Sequence, residues 1–93
     1  MIHFIVHDHG DSVGVVVTEG VKAGQELTGW VMEGDSSLRA RVVDDIPIGH
    51  KFALKDIPSN TGVIKYGVDI GRTVAPIGAG RHVHVHNLKT RRW

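Results

Sequence analysis

The sequence predicts an all-β fold, and three observations predict it. Apolar and polar residues alternate over several short stretches, glycine is abundant at 12 of 93 residues, and a seven-residue frame recurs four times. Alternation with period two marks a strand with one face turned to a core. Helical periodicity is weak throughout, and many short strands separated by turn residues argue for a single all-β domain.

The elements follow in chain order. In IHFIVH, Ile2, Phe4 and Val6 share one face while His3, Ile5 and His7 share the other. VHDHGD then gathers His7, Asp8, His9 and Asp11; consecutive Asx and Gly residues make turns, and the same side chains also form a candidate metal or acid–base grouping. SVGVVVTEG reads as a strand over 13–18 that ends in a Glu-Gly turn. EGDSSLRAR, at 33–41, is the most loop-like segment and a candidate hairpin tip. ARVVDDI, KFAL, GVIKYG and RHVHVHNL complete the candidate strands, with no interdomain linker between them.

The repeated frame comprises VKAGQEL (21–27), IPIGHKF (46–52), IPSNTGV (57–63) and IGAGRHV (77–83). Its first and seventh positions are apolar, and its fourth is Gly or Asn. Those two residue types tolerate positive φ best, so each frame reads as an apolar anchor, a tight turn and entry into a strand. Pro47 and Pro58 at the second position suit the i+1 site of a type I or II turn. The uneven spacing of the frames makes them turn units of one domain, not solenoid repeats.

Composition limits the function classes. A formal net charge of +1 excludes a general nucleic-acid surface, although Lys89, Arg91 and Arg92 concentrate positive charge near the last residue, Trp93. An exposed terminal indole is costly in water, which favours docking of that end. Cysteine is absent, which removes disulfides and thiolate ligands and fits a reducing, cytoplasmic setting. No apolar run approaches the ~20 residues of a membrane span, and the first residues do not read as a signal peptide. A chain this short has little room to enclose a substrate alone, so an active site is expected to be shared with another chain.

The densest chemistry lies in GRHVHVHNLKTRRW. Read as one strand over 81–88, it points Val83 and Val85 inward and His82, His84 and His86 outward. Imidazoles two residues apart lie roughly 6.5–7 Å apart along a strand of ~3.3 Å rise per residue. Two such rings can converge on one ion, and neutral imidazole is a ligand for Zn, Fe, Cu and Ni. A half-exposed strand also carries histidines for no chemical reason, and that alternative stands. His50 and Lys51 just past a turn glycine, and Lys65 and Tyr66 in a glycine-flanked turn, are further polar candidates; the first two also read plainly as solvated turn residues, and Tyr66 as a packing residue with its hydroxyl exposed. No Ser-His-Asp order, P-loop or dinucleotide fingerprint is present.

IPIGHKFALKDI, VIKYGVDIGRTVAPI and GRHVHVHNLKTRRW together resemble the SAF domain of the altronate/galactarate dehydratase family, and the resemblance runs from VHDHGDSVGVVV to the end of the chain. It implies a compact SAF-type β-clip similar to antifreeze-like domains, spanning 1–93 as one domain. It also implies a large catalytic subunit as partner, a small dianionic hydroxy-acid substrate and Fe2+ as cofactor. The free-standing length and the K-T-R-R-W ending are similar to the branch in which the domain is a separate small subunit. There the implied reaction is elimination of sulfite from (2R)-3-sulfolactate to give pyruvate, by a complex whose small subunit is inactive alone. Asn60 departs from the family pattern, which has glycine at that place.

The residues carried over are His84 and His86 as metal ligands or catalytic groups, His50 and Lys51 as further catalytic groups, and Asn87, Lys65 and Tyr66 as substrate-binding groups. A lysine, Lys51 or Lys65, is expected to neutralise the sulfonate. Two other readings remain open: the small subunit of a sugar-acid dehydratase, and a non-catalytic SAF binding module.

Overall fold

The computed structural model describes residues 1–65, 68–84 and 87–90. Its strands are β1 (Phe4–Val6), β2 (Val13–Val16), β3 (Glu26–Val31), β4 (Ser36–Arg41), β5 (Lys51–Ala53), β6 (Gly62–Lys65), β7 (Val68–Thr73), β8 (His82–Val83) and β9 (Leu88–Thr90). They form a six-stranded sheet in the order β4-β3-β1-β2-β5-β8 and a three-stranded sheet in the order β6-β7-β9. Only β1 and β3 pair in parallel; every other named pair is antiparallel. Among the described residues, no helix is long and apolar enough to cross a membrane. This is the turn-rich all-β architecture of a β-clip.

The four frames organise it. Their first positions, Val21, Ile46, Ile57 and Ile77, are buried and meet as two isolated antiparallel bridges, Val21 with Ile46 and Ile57 with Ile77. Their fourth positions, Gly24, Gly49, Asn60 and Gly80, all have positive φ, between 55° and 87°. Their seventh positions, Leu27, Phe52, Val63 and Val83, are fully buried. Each frame also clasps one buried residue with two backbone hydrogen bonds. The fourth-position N–H donates to that residue's carbonyl, and that residue's N–H donates to the fifth-position carbonyl. The clasped residues are Val42, Val16, Thr73 and Ala53, at 2.8–3.1 Å. The frame is therefore a clip in a literal sense, and it satisfies backbone groups that burial would otherwise leave costly.

The prolines sit one place earlier than expected. His50 N–H donates to Pro47 C=O, which makes Pro47 the first residue of its turn and leaves Gly49 the positive-φ third residue of a type II-like pattern. In the frame with Asn60, Thr73 closes the turn instead: its hydroxyl donates to Pro58 C=O at 2.6 Å and accepts from Thr61 N–H at 3.0 Å.

Two strands, β3 and β7, hide their alternation in the sequence because a buried position of each is a glycine, Gly29 and Gly71. Gly29 is required by packing: a Cβ there would collide with the Phe4 ring, and one at Gly14 would come within 2.8 Å of it. Phe4 thus lies across two glycines of neighbouring strands and meets Phe52 edge-on, with centroids 4.9 Å apart. The expected hairpin tip at 33–41 shrinks to a turn at Gly34 and Asp35, both with positive φ; the rest is β4, an exposed edge strand paired along β3. ARVVDDI ends its strand at Arg41, because Val42 is held by the first clip.

Burial divides into two clusters. The first holds Phe4, Val6, Val16, Val21, Leu27, Val31, Val42, Ile46 and Phe52, and serves the first two clips. The second holds Val13, Ala53, Ile57, Val63, Ile77, Val83 and Leu88, and joins the two sheets around the last two clips.

Candidate functional site

The fourth clip clasps Ala53, the residue that follows the second clip. That interlock lays β8 beside β5, with Phe52 opposite His82 and Lys51 opposite Val83. The fifth position of the second clip, His50, and the sixth of the fourth, His82, are thereby neighbours although 32 residues apart in sequence.

Their rings touch. His50 Nδ1 and His82 Nε2 lie 2.9 Å apart, so one ring N–H donates to a bare nitrogen on the other. His84 stacks on both, with its centroid 4.8 Å from that of His50 and 5.5 Å from that of His82; the planes of His82 and His84 differ by 7°. One nitrogen from each of the three rings falls within 4.8 Å of the other two. Three imidazoles at such spacing form a group that can hold a metal ion. The 2.9 Å pair is already close to the spacing of two nitrogens that each sit ~2.0–2.1 Å from a common ion, and the donor chemistry suits a first-row divalent metal.

The strand expected over 81–88 does not run through. β8 ends at Val83, and the N–H groups of Asn87 and Leu88 both donate to His84 C=O. Asn87 holds this turn with its side chain: Oδ1 accepts from His84 N–H at 3.0 Å, and Nδ2 donates to His82 C=O at 2.8 Å. Both ends of its amide thus fix the backbone of the two histidines. The inward and outward assignment holds for the described part, since Val83 is fully buried and His82 is half-buried. His86 and Tyr66 lie outside the described residues.

The lysines stand elsewhere. Lys51 is opposite Val83, so its side chain leaves the β5–β8 pair on the face away from His82. Burial, and secondarily the nearby Lys65 ammonium, pull its pKa below the usual 10.5. Lys51 therefore stands on the side opposite the imidazoles.

Two residues at the site escape a sequence reading. Asp44 accepts from His82 N–H through Oδ2 at 2.9 Å and pairs with Arg81 through Oδ1 at 3.2 Å. Both residues line a cleft of about 320 Å³ together with Pro76, Gly78, His82 and Asn87. A signal for Asp44 does exist in the repeats. Asp45 and Asp56 each precede a first-position isoleucine, and each accepts an N–H from the partner clip, that of Ala23 or Ala79, at 2.8 Å. Asp44, one place earlier, has Lys55 as its counterpart and is not needed by the clip. VHDHGD, by contrast, folds as a turn in which Asp11 is buried and accepts from His7 N–H.

The sequence model of the altronate/galactarate dehydratase SAF domain matches residues 2–91. The chain belongs to that SAF-domain family. Within it, the chain is 62% identical over 92 residues to the (2R)-sulfolactate sulfo-lyase subunit alpha of Chromohalobacter salexigens, covering 99% of this chain and 98% of that one. It is 49% identical over 63 residues to the corresponding subunit of Paracoccus pantotrophus, covering 68% of this chain and 94% of that one. The altronate dehydratase of Escherichia coli is 56% identical over 46 residues, but these are half of this SAF domain and 9% of that enzyme. The same kind of domain thus occurs as a small part of a long chain and as nearly the whole of a subunit.

Proposed function

We propose that this chain is the small subunit of a two-chain carbon–sulfur lyase that eliminates sulfite from (2R)-3-sulfolactate to give pyruvate. One observation carries the reading: the match to a sulfo-lyase alpha subunit runs end to end on both chains, at 62% identity. Its partner is a large catalytic subunit, and it contributes the imidazole face to a shared site. The cysteine-free composition agrees with a cytoplasmic enzyme.

The reaction removes the C2 proton and breaks the C3–S bond. The C–H electron pair becomes the C2–C3 π bond, and the C–S pair leaves on sulfite. The resulting enol gives up its hydroxyl proton, takes one at C3 and becomes pyruvate. Negative charge grows beside a carboxylate, so the barrier is electrostatic. His50, His82 and His84 are the residues that would hold a metal; His86, carried over from the family resemblance, is a further proposed ligand. Ferrous iron is the proposed ion, and such an ion supplies Lewis-acid stabilisation of charge on the hydroxy-acid oxygens. Asn87 and Asp44 fix the backbone on which His82 and His84 stand, so the rings meet substrate without reorganising. An imidazole not engaged by metal is suited to move the proton. This chain offers few enclosing walls, so the large subunit excludes water from the site.

The test is co-expression with the large subunit, followed by assays of sulfite and of 2-keto-3-deoxy acid. Sulfite from (2R)-3-sulfolactate is the expected product; a 2-keto-3-deoxy acid from altronate or galactarate instead would assign the chain to the sugar-acid dehydratases. Replacing His82 and His84 together by alanine is expected to lower sulfite release by roughly 100-fold or more and to reduce bound metal, with the complex still assembled on size exclusion. Full turnover in that double variant would remove the histidines from the mechanism.

A further inference from the structure

We propose that Arg81 recognises the sulfonate and makes the site selective for a substrate whose leaving group is anionic, an assignment that rests on the lyase reading above. A sulfonate is anionic at every working pH and presents oxygens in a tripod, so its natural counterpart is a permanent cation with several donors. Guanidinium is that group, charged throughout the accessible range and carrying five N–H donors in a planar fork. Imidazoles are poorer candidates, because a ring that ligates metal is neutral. Lys51 is excluded from the cleft by register, since it leaves β5 on the opposite face. Among the described residues that line the 320 Å³ cleft, Arg81 is the only Lys or Arg.

Its position is built. The backbone of Arg81 is fixed by the fourth clip: its N–H donates to Gly78 C=O, and its carbonyl accepts from Ala53 N–H. Asp44 ties the guanidinium to one carboxylate oxygen and the His82 amide to the other. One carboxylate therefore holds both the guanidinium and the His82 backbone, while the Arg81 side chain stays 58% exposed and open to the cleft. A sulfonate bound here stands beside His82, which both lines the cleft and belongs to the imidazole group; that group would meet the carboxylate and hydroxyl end of the same small acid.

The assembled two-chain enzyme tests this. Arg81→Ala and Arg81→Lys are assayed for sulfite release, and for inhibition by propane-1-sulfonate and by lactate. Loss of a charge-assisted pair predicts a KM for sulfolactate raised roughly 10- to 100-fold in Arg81→Ala, with kcat changed less than about threefold. Arg81→Lys is expected between the two, since it keeps charge and loses the fork. Inhibition by propane-1-sulfonate weakens in step with KM, while inhibition by lactate, which lacks the sulfonate, does not change. If Arg81→Ala fails to assemble, Arg81→Lys alone decides by the same two inhibitors. A wild-type KM in the variants, or equal weakening of both inhibitors, overturns the assignment while leaving the lyase reading intact. A wild-type complex that releases no sulfite overturns both.

Discussion

The four clips share one backbone design and divide sharply in what they carry. The first and third offer Gln25 and Glu26, and Thr61 and Gly62, at their fifth and sixth positions; the second and fourth offer His50 and Lys51, and Arg81 and His82. The first clip clasps Val42 and the third clasps Thr73, and neither of those residues adjoins a frame. The fourth clasps Ala53 at the end of the second, which brings its histidine against His50. Positions one, four and seven make the clip; positions five and six vary, and the imidazole group forms where two clips interlock. Function is grafted onto a repeated support.

Substitutions can separate support from cargo. The largest effect is expected at Gly80. A Cβ there would run into the Arg41 carbonyl oxygen and come within 3.2 Å of Val43 N, and φ is +84°. Gly49 has the same φ, and a Cβ there meets nothing within 4 Å. Gly49→Ala should therefore cost about 1–2 kcal/mol for the left-handed conformation alone, whereas Gly80→Ala should exceed about 3 kcal/mol. Urea unfolding of the two variants checks this, and equal losses would mean that the close approach of Gly80 to the Arg41–Val43 backbone adds nothing beyond backbone strain.

Asn87→Ala comes next. It removes two side-chain bonds to the backbone of His82 and His84, which is worth about 2 kcal/mol in stability for partly buried groups. It should also weaken metal retention, which a role confined to folding would leave unchanged in the surviving folded fraction. Equilibrium dialysis against ferrous or zinc ion, done beside unfolding, separates the two.

The smallest effect concerns Lys51, at the sixth position of the second clip. Its folded pKa is lowered by burial and then by Lys65, so the folded form releases its proton before the unfolded form does. The penalty is fully present below the lowered pKa and is relieved as pH rises toward the unfolded value of 10.5. Lys51→Met should therefore raise Tm most at neutral pH and progressively less in alkaline buffer. A gain that does not shrink with rising pH would show that the methionine acts by packing and not by removing a buried charge.

Much of the support was legible in the chain because it rests on local rules. Asn60 in a glycine slot announced the positive φ at the fourth position, and all four such sites have it. The strands that hid, β3 and β7, did so because Gly29 and Gly71 break the alternation; the need for Gly29 comes from Phe4 on another strand. The third member of the imidazole group was visible only as one histidine of three in a row, and its pairing with His50 had no local signal. The break at His84 was hidden too, since Val-His alternation reads as a strand until Asn87 bonds back across it.

Left to itself, the sequence determined the residue types at the anchors and turns, and through them an all-β chain folded back on itself four times, because backbone sterics and period-two burial act over a few neighbours. Tertiary structure alone decided that His50, His82 and His84 meet, that Arg81 and Asp44 line a cleft with His82 and that Lys51 leaves on the other face. Those outcomes depend on which residue each clip clasps and on which face of a paired strand a side chain leaves, and both are set by contacts between segments far apart in the chain.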